Sequence, residues 1–273
     1  MSEETVKRKA KVIAVANQKG GVGKTTTVAL VSTCLADMGY KVLAIDCDSS
    51  ANLSSFFGTK DSKDKKLELP DLFERLVNYD DFSDVELDDI VYHCDKVDLI
   101  ASNIHLAATE ASLITADERE YIIRTLVDML REDYDYILLD CGPSLGLMLT
   151  NTLCAADEVL IPVQPERFAA EGLSDLFTTI ARISRRMNPD LHVLGIIVTL
   201  YQSGCAEHKG YVEDLRATYG DKIRIFNELV PVSFKARESM TLSNNLFEYS
   251  SRSGAARSYK KIVKEIVESY GKA

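Results

Sequence analysis

The sequence predicts a doubly wound α/β fold, a mainly parallel twisted sheet with helices on both faces, and three observations lead there. Short apolar runs rich in β-branched residues alternate with longer stretches whose apolar residues recur at helical spacing. Several of those runs, such as Val42-Leu43-Ala44-Ile45, are continuously apolar, as strands become when helices cover both faces. The first run opens into a glycine-rich turn and then into residues able to start a helix. With 273 residues the chain is long enough for a sizeable core, and a single domain over 11–273 behind an N-terminal tail, residues 1–10, is the simplest division.

Residues 11–17 are expected to form the first strand and 23–38 the first helix, where Ala29, Leu30, Thr33, Cys34 and Leu35 share a face and Gly39 supplies the stop. Residues 42–45 return as the next strand, closing a right-handed βαβ unit. The charged run 60–66 reads as a loop and 71–76 as a short amphipathic helix. Strands are then expected over 97–100, 136–140, 158–163, 193–199 and 223–226, with helices over 117–131, 170–187, 207–219 and 254–270. No internal repeat and no linker interrupts this alternation.

Composition narrows the function classes. No run approaches the roughly 18 apolar residues of a spanning helix, and residues 1–11 are too charged for a secretory leader, so a cytoplasmic protein is expected. Six cysteines without a C-x-x-C pair, and four isolated histidines, suggest no disulfide framework and no metal cluster. A formal net charge of −10 repels nucleic acid as a whole, so any DNA binding requires a local basic patch.

The stretch Lys19-Gly20-Gly21-Val22-Gly23-Lys24-Thr25-Thr26 carries the chemistry. Its glycines let the backbone adopt positive φ and aim several N–H groups at an anion. Lys24 places a point charge on terminal phosphates, Thr25 offers a hydroxyl to Mg²⁺, and the following helix adds its positive dipole end. Gln18 stands where the usual phosphate-loop pattern has glycine, and Lys19 adds a second lysine. Two further segments end apolar runs in acids. One is Ile45-Asp46-Cys47-Asp48, whose carboxylates point opposite ways on an extended chain; the other is Leu138-Leu139-Asp140.

The spelling K-G-G-x-G-K-T-T resembles the deviant Walker A ATPases: ParA partition proteins, MinD division-site proteins and, more distantly, the nitrogenase iron protein. That resemblance implies ATP and Mg²⁺ as cofactors and a homodimer in the ATP state, in which Lys19 reaches the partner's phosphates. By the same likeness Asp46 is the metal-side acid, Asp48 orients the attacking water with Asn52 nearby, and Asp140 holds Mg²⁺ opposite Thr25. Ser49 and Ser50 replace the family's proline and glutamine, and Gly142 replaces a proline. The stretch 160–173, including Glu166, looks like the ParA segment V-I-P-V-Q-x-E-x-x-A-x-E-G-L, and Ser251-Arg252-Ser253-Gly254-Ala255 looks like its S-R-G-A turn.

Adenine recognition in the family falls near a V-I-P-R segment, matched by Leu229-Val230-Pro231-Val232 with valine for arginine. ParA dimers bind DNA nonspecifically through basic residues of the C-terminal half. Candidates here are Lys235, Arg237, Arg252 and Arg257, with Lys260 and Lys261 beside them, while Gln202-Ser203-Gly204-Cys205 lacks a family arginine. The tail helix lacks the bulky apolar face of MinD's membrane helix, so no membrane partner is expected. The resemblance thus implies a partition ATPase for plasmid or chromosome cargo, cytoplasmic or nucleoid-associated, with a ParB-like activating protein. A ParA-like ATPase positioning a protein complex or organelle, or a weakly hydrolysing ATP-loaded regulator, remains the alternative.

Overall fold

A computed structural model of the chain describes residues 10–59, 65–79, 85–113, 116–166 and 169–271. The expected tail, apart from Ala10, and most of the charged run 60–66 lie outside those residues. The strands are β1 (Lys11–Val15), β2 (Val42–Cys47), β3 (Tyr92–Cys94), β4 (Val97–Ile100), β5 (Tyr136–Cys141), β6 (Glu158–Val163) and β7 (His192–Val198). They form one seven-stranded sheet in the order β3-β4-β2-β5-β1-β6-β7, parallel throughout except for the β3–β4 pair.

Residue alternation along the central strands divides the core in two. Val12 and Ala14 of β1, with Ile137 and Leu139 of β5, face one cluster; Ile13 and Val15, with Tyr136 and Leu138, face the other. The first face is covered by α3 (Leu69–Tyr79), α5 (Leu106–Ser112), α6 (Ile122–Leu130), α7 (Leu147–Ala155), α8 (Ala169–Arg186) and α9 (Ala206–Tyr219). The second is covered by α1 (Lys24–Asp37), α2 (Asn52–Phe56), α10 (Phe234–Thr241), α11 (Leu246–Tyr249) and α12 (Gly254–Tyr270), with the short α4 (Leu87–Ile90) preceding the edge strand. Both faces being dry explains why these strands read as continuous apolar runs. Truncating a core residue such as the fully buried Leu139 to alanine would cost about 2–5 kcal/mol.

α12 shows how a local signal sets an element. Ser253 caps it by accepting from the Ala256 N–H, and Tyr259, Ile262, Val263 and Ile266 recur at helical spacing into the core. The tail is therefore packed against α1, not free.

Two expectations need correcting. Residues 223–226 do not form a strand: the segment runs parallel to β7 but meets it in a single bridge, Ile225 to Ile196, beside Gly195, where Arg224 and Phe226 come close. α6 starts at Ile122, not 117, since residues 117–121 fold as turns. Other elements, among them the buried α7 and the edge strand β3, carry no expectation; α7 buries residues all round, Asn151 and Thr152 included, so it lacks the one-sided periodicity that marks a surface helix.

Candidate nucleotide and metal site

The glycine-rich loop joins the carboxyl end of β1 to α1, beside the point where strand order reverses and open α/β sheets bind ligands. Gly21 and Gly23 have φ of +76° and +88°, values that a side chain would strain. Two anchors hold the loop. Asn17 donates to the Pro162 carbonyl at 2.7 Å and accepts from the Lys19 N–H at 3.0 Å, and the Thr199 hydroxyl donates to the Val22 carbonyl at 2.7 Å. Neither Asn17 nor Thr199 was expected at the site; each stands at a strand's carboxyl end, the one signal that marks them.

Lys24 opens α1 only 7% exposed, its ammonium donating to the Lys19 carbonyl at 3.0 Å. Burial pulls its pKa below the ordinary lysine value, against the pull of Asp140 and Asp48. Such a lysine, curled onto its own loop, is a cation waiting for an anion. Thr25 and Thr26 follow it, half-buried.

Strand alternation places the acids. Ala44 of β2 and Leu138 of β5 face the α1 side of the sheet, and so Asp46 and Asp140, two residues on, face it too. The two are register partners on adjacent parallel strands, and both are fully buried. Asp46 accepts from the Ser54 N–H at 2.8 Å and hydroxyl at 2.7 Å and from the Asp48 N–H at 3.2 Å. Burial still pushes its carboxyl up to about 6. Ser54, eight residues beyond, is a support that the sequence pattern did not reveal.

Asp140 is different. Among the described residues neither carboxylate oxygen has a partner at full hydrogen-bond geometry, although the Thr25 hydroxyl is near enough to favour its charged form. Burial, then the Asp46 carboxylate, raises its pKa well above the usual range. An orphaned buried carboxylate opposite a threonine hydroxyl at the loop fits a divalent cation, and Mg²⁺ takes one or two carboxylates while the rest of its shell is water and phosphate. Thr25, Asp46 and Asp140 are thus suited to hold it, directly or through water.

Asp48 lies half-buried beyond Asp46, accepting from the Ser50 N–H at 3.0 Å, with Gly142 packed against it. A Cβ at residue 142 would meet its carboxyl carbon at 3.5 Å, an ordinary van der Waals contact, so Asp48 does not require glycine there. Asn52 is exposed and donates to the Ser50 hydroxyl at 2.9 Å. Lys19 pairs with Glu166, which follows β6. Pro231 lines a cavity of about 220 Å³ that also takes in Gly21, Gly23 and Thr26.

The basic candidates lie on or beside α10–α12, and only one of them, Arg237, is among the residues lining that cavity. Lys235 pairs with Glu238 at 2.9 Å and lies 5.0 Å over the Tyr249 ring, Lys260 lies 5.3 Å over Phe247, and Lys261 pairs with Glu228 at 2.9 Å. Through Tyr249 and Phe247, both on α11, Lys235 and Lys260 come to neighbouring elements. Arg252 and Arg257 are exposed at the start of α12, and Arg237 reaches the 220 Å³ cavity.

A model of the AAA domain family matches residues 10–193. The sporulation initiation inhibitor protein Soj of Bacillus subtilis is 33% identical over 94% of this chain and 98% of its own length. The chromosome partitioning protein ParA of Caulobacter vibrioides is 32% identical over 94% of both. Among solved structures, cobyrinic acid a,c-diamide synthase of Mycobacterium smegmatis, holding an ATP analogue and magnesium, superposes with a TM-score of 0.80 at 30% identity over 96% of each chain.

Proposed function

The chain belongs to the ParA/MinD family of deviant Walker A ATPases, and on that footing we propose that it is a partition ATPase that dimerises on ATP, grips DNA without sequence preference and lets go on hydrolysis. The observation that carries the catalytic half is the orphaned Asp140 carboxylate facing Thr25 beside the buried Lys24. γ-Phosphate hydrolysis asks mainly for positioning and charge stabilisation. The loop N–H groups and Lys24 hold the phosphates, Asp48 orients the attacking water with Asn52 close by, and Thr25, Asp46 and Asp140 hold Mg²⁺. The metal, when bound, neutralises charge that develops on the phosphate oxygens. Lys19 of one protomer serves the other's phosphates, much as an arginine finger does, so that hydrolysis waits on dimer formation.

In the isolated chain Glu166 holds Lys19, which supports a reading in which this lysine is parked until a partner and ATP arrive. Lys235, Arg252 and Arg257 are the proposed DNA contacts, and a ParB-like protein the proposed activator. The acids already paired with Lys235 and Lys261 favour a second reading, an ATPase of the same design that positions a protein cargo. The Asp48→Ala variant separates the two. Loaded with ATP and unable to turn over, it should retard nonspecific duplex DNA at low salt and release it as salt rises. An ATP-loaded dimer that leaves DNA unshifted at low salt would replace the DNA reading with the cargo reading.

A further inference from the structure

Arg237 is a basic residue that sequence pattern assigns to a DNA surface, yet its side chain lines the 220 Å³ cavity that continues from the phosphate loop. α10 explains the placement. Ser233 caps the helix by accepting from the Ala236 N–H, Ala236 and Ser239 turn into the core, and Arg237 follows Ala236 along the cavity rim. Among the described residues lining the cavity, Arg237 alone carries a charge; Leu200, Val230, Pro231 and Met240 make the wall apolar, and no carboxylate is present. The guanidinium is exposed and makes no hydrogen bond or ion pair among the described residues.

A volume of 220 Å³ suits one planar ring system, and falls below the roughly 300–1,000 Å³ of a site for a whole drug-sized ligand. A nucleotide whose phosphates sit on Gly21, Gly23 and Thr26 would place its base there. An apolar wall gives such a base a flat contact, and a guanidinium stacks on a π-face without needing an acceptor.

We propose that Arg237 is a specificity-determining residue of the nucleotide site, its guanidinium plane closing over the face of the base. The inference rests on the nucleotide reading above and deepens it. Because stacking sees the ring face and not its edge, Arg237 strengthens ATP and ADP alike and adds nothing to phosphates without a base.

Calorimetric titration of wild type, Arg237→Ala and Arg237→Lys with ATP, ADP and inorganic tripolyphosphate tests this. Arg237→Ala should weaken ATP and ADP about two- to five-fold, the range of an exposed cation–π contact, and leave tripolyphosphate unchanged. Arg237→Lys, which keeps the charge and loses the plane, should recover only part of that loss. Unchanged ATP affinity in Arg237→Ala, equal weakening of ATP and tripolyphosphate, or full recovery by lysine would each overturn the proposal. If wild type bound neither ATP nor tripolyphosphate, the nucleotide reading itself would fall.

Discussion

The phosphate-loop end of the sheet and the basic surface of α10–α12 are built on opposite principles. At the loop the charged groups are buried before any ligand arrives. Asp46 is bonded from three donors, Asp140 from none at full hydrogen-bond geometry among the described residues, and Lys24 is curled onto its own backbone. On the C-terminal surface the charges are exposed, and two of its lysines are already answered: Lys235 by Glu238, Lys261 by Glu228. Burial leaves a group few alternatives, so the loop end is committed to one ligand chemistry. Exposure lets solvent, salt and neighbouring acids share each cation, so the surface is a sum of small, replaceable terms.

The contrast is most easily broken at Asp140. Asp140→Asn should lower ATP hydrolysis by about 10²-fold or more, the scale of losing one pre-placed charge partner in a transition state. The same change should stabilise the metal-free protein. The raised native carboxyl means that the unfolded chain ionises more readily, so folding is opposed once pH rises past the unfolded carboxyl's range, most fully above the folded pKa, and that penalty fades as pH falls and both states become protonated. Thermal melts in a chelator should therefore show the variant with the higher midpoint at pH 7, the gap narrowing in acid. A lower melting point at pH 7 would mean that the carboxylate is held by partners the account lacks.

At the exposed surface the effects should be partial. Lys235→Ala should leave hydrolysis intact and reduce the slope of DNA affinity against salt by about one unit, as one lost phosphate contact does. An all-or-none loss of DNA binding would instead mark Lys235 as a structural keystone. Between the two regimes stands the half-exposed Lys19–Glu166 pair. Glu166→Gln should free Lys19 and raise the dimer fraction at limiting ATP by up to about five-fold, the most that an exposed pair is worth. A lower fraction would show Glu166 acting on the nucleotide itself.

The same division decides what the sequence reveals. The loop, Asp46 and Asp140 stand out because burial and backbone geometry permit few residue types there: glycine at positive φ, an acid ending an apolar strand. Asn17, Ser54 and Thr199 escape notice because their roles depend on meeting a distant carbonyl or carboxylate, which only the fold supplies. Elements follow this rule as well. α12 is legible from its cap and its one buried stripe, whereas α7, buried nearly all round, and the one-bridge segment 223–226 offer no period that distinguishes them. Arg237 is the sharpest case: its charge suggests the exposed regime, and only the path of α10 brings it to the loop's cavity.

The central claim is that Lys19 makes a buried single-chain site into a shared one. Light scattering of wild type and Lys19→Gln with ADP and with ATP tests it directly. Wild type should be monomeric with ADP and dimeric with ATP, while Lys19→Gln binds nucleotide and stays monomeric in both. Equal dimer fractions in the two proteins with ATP would contradict the account.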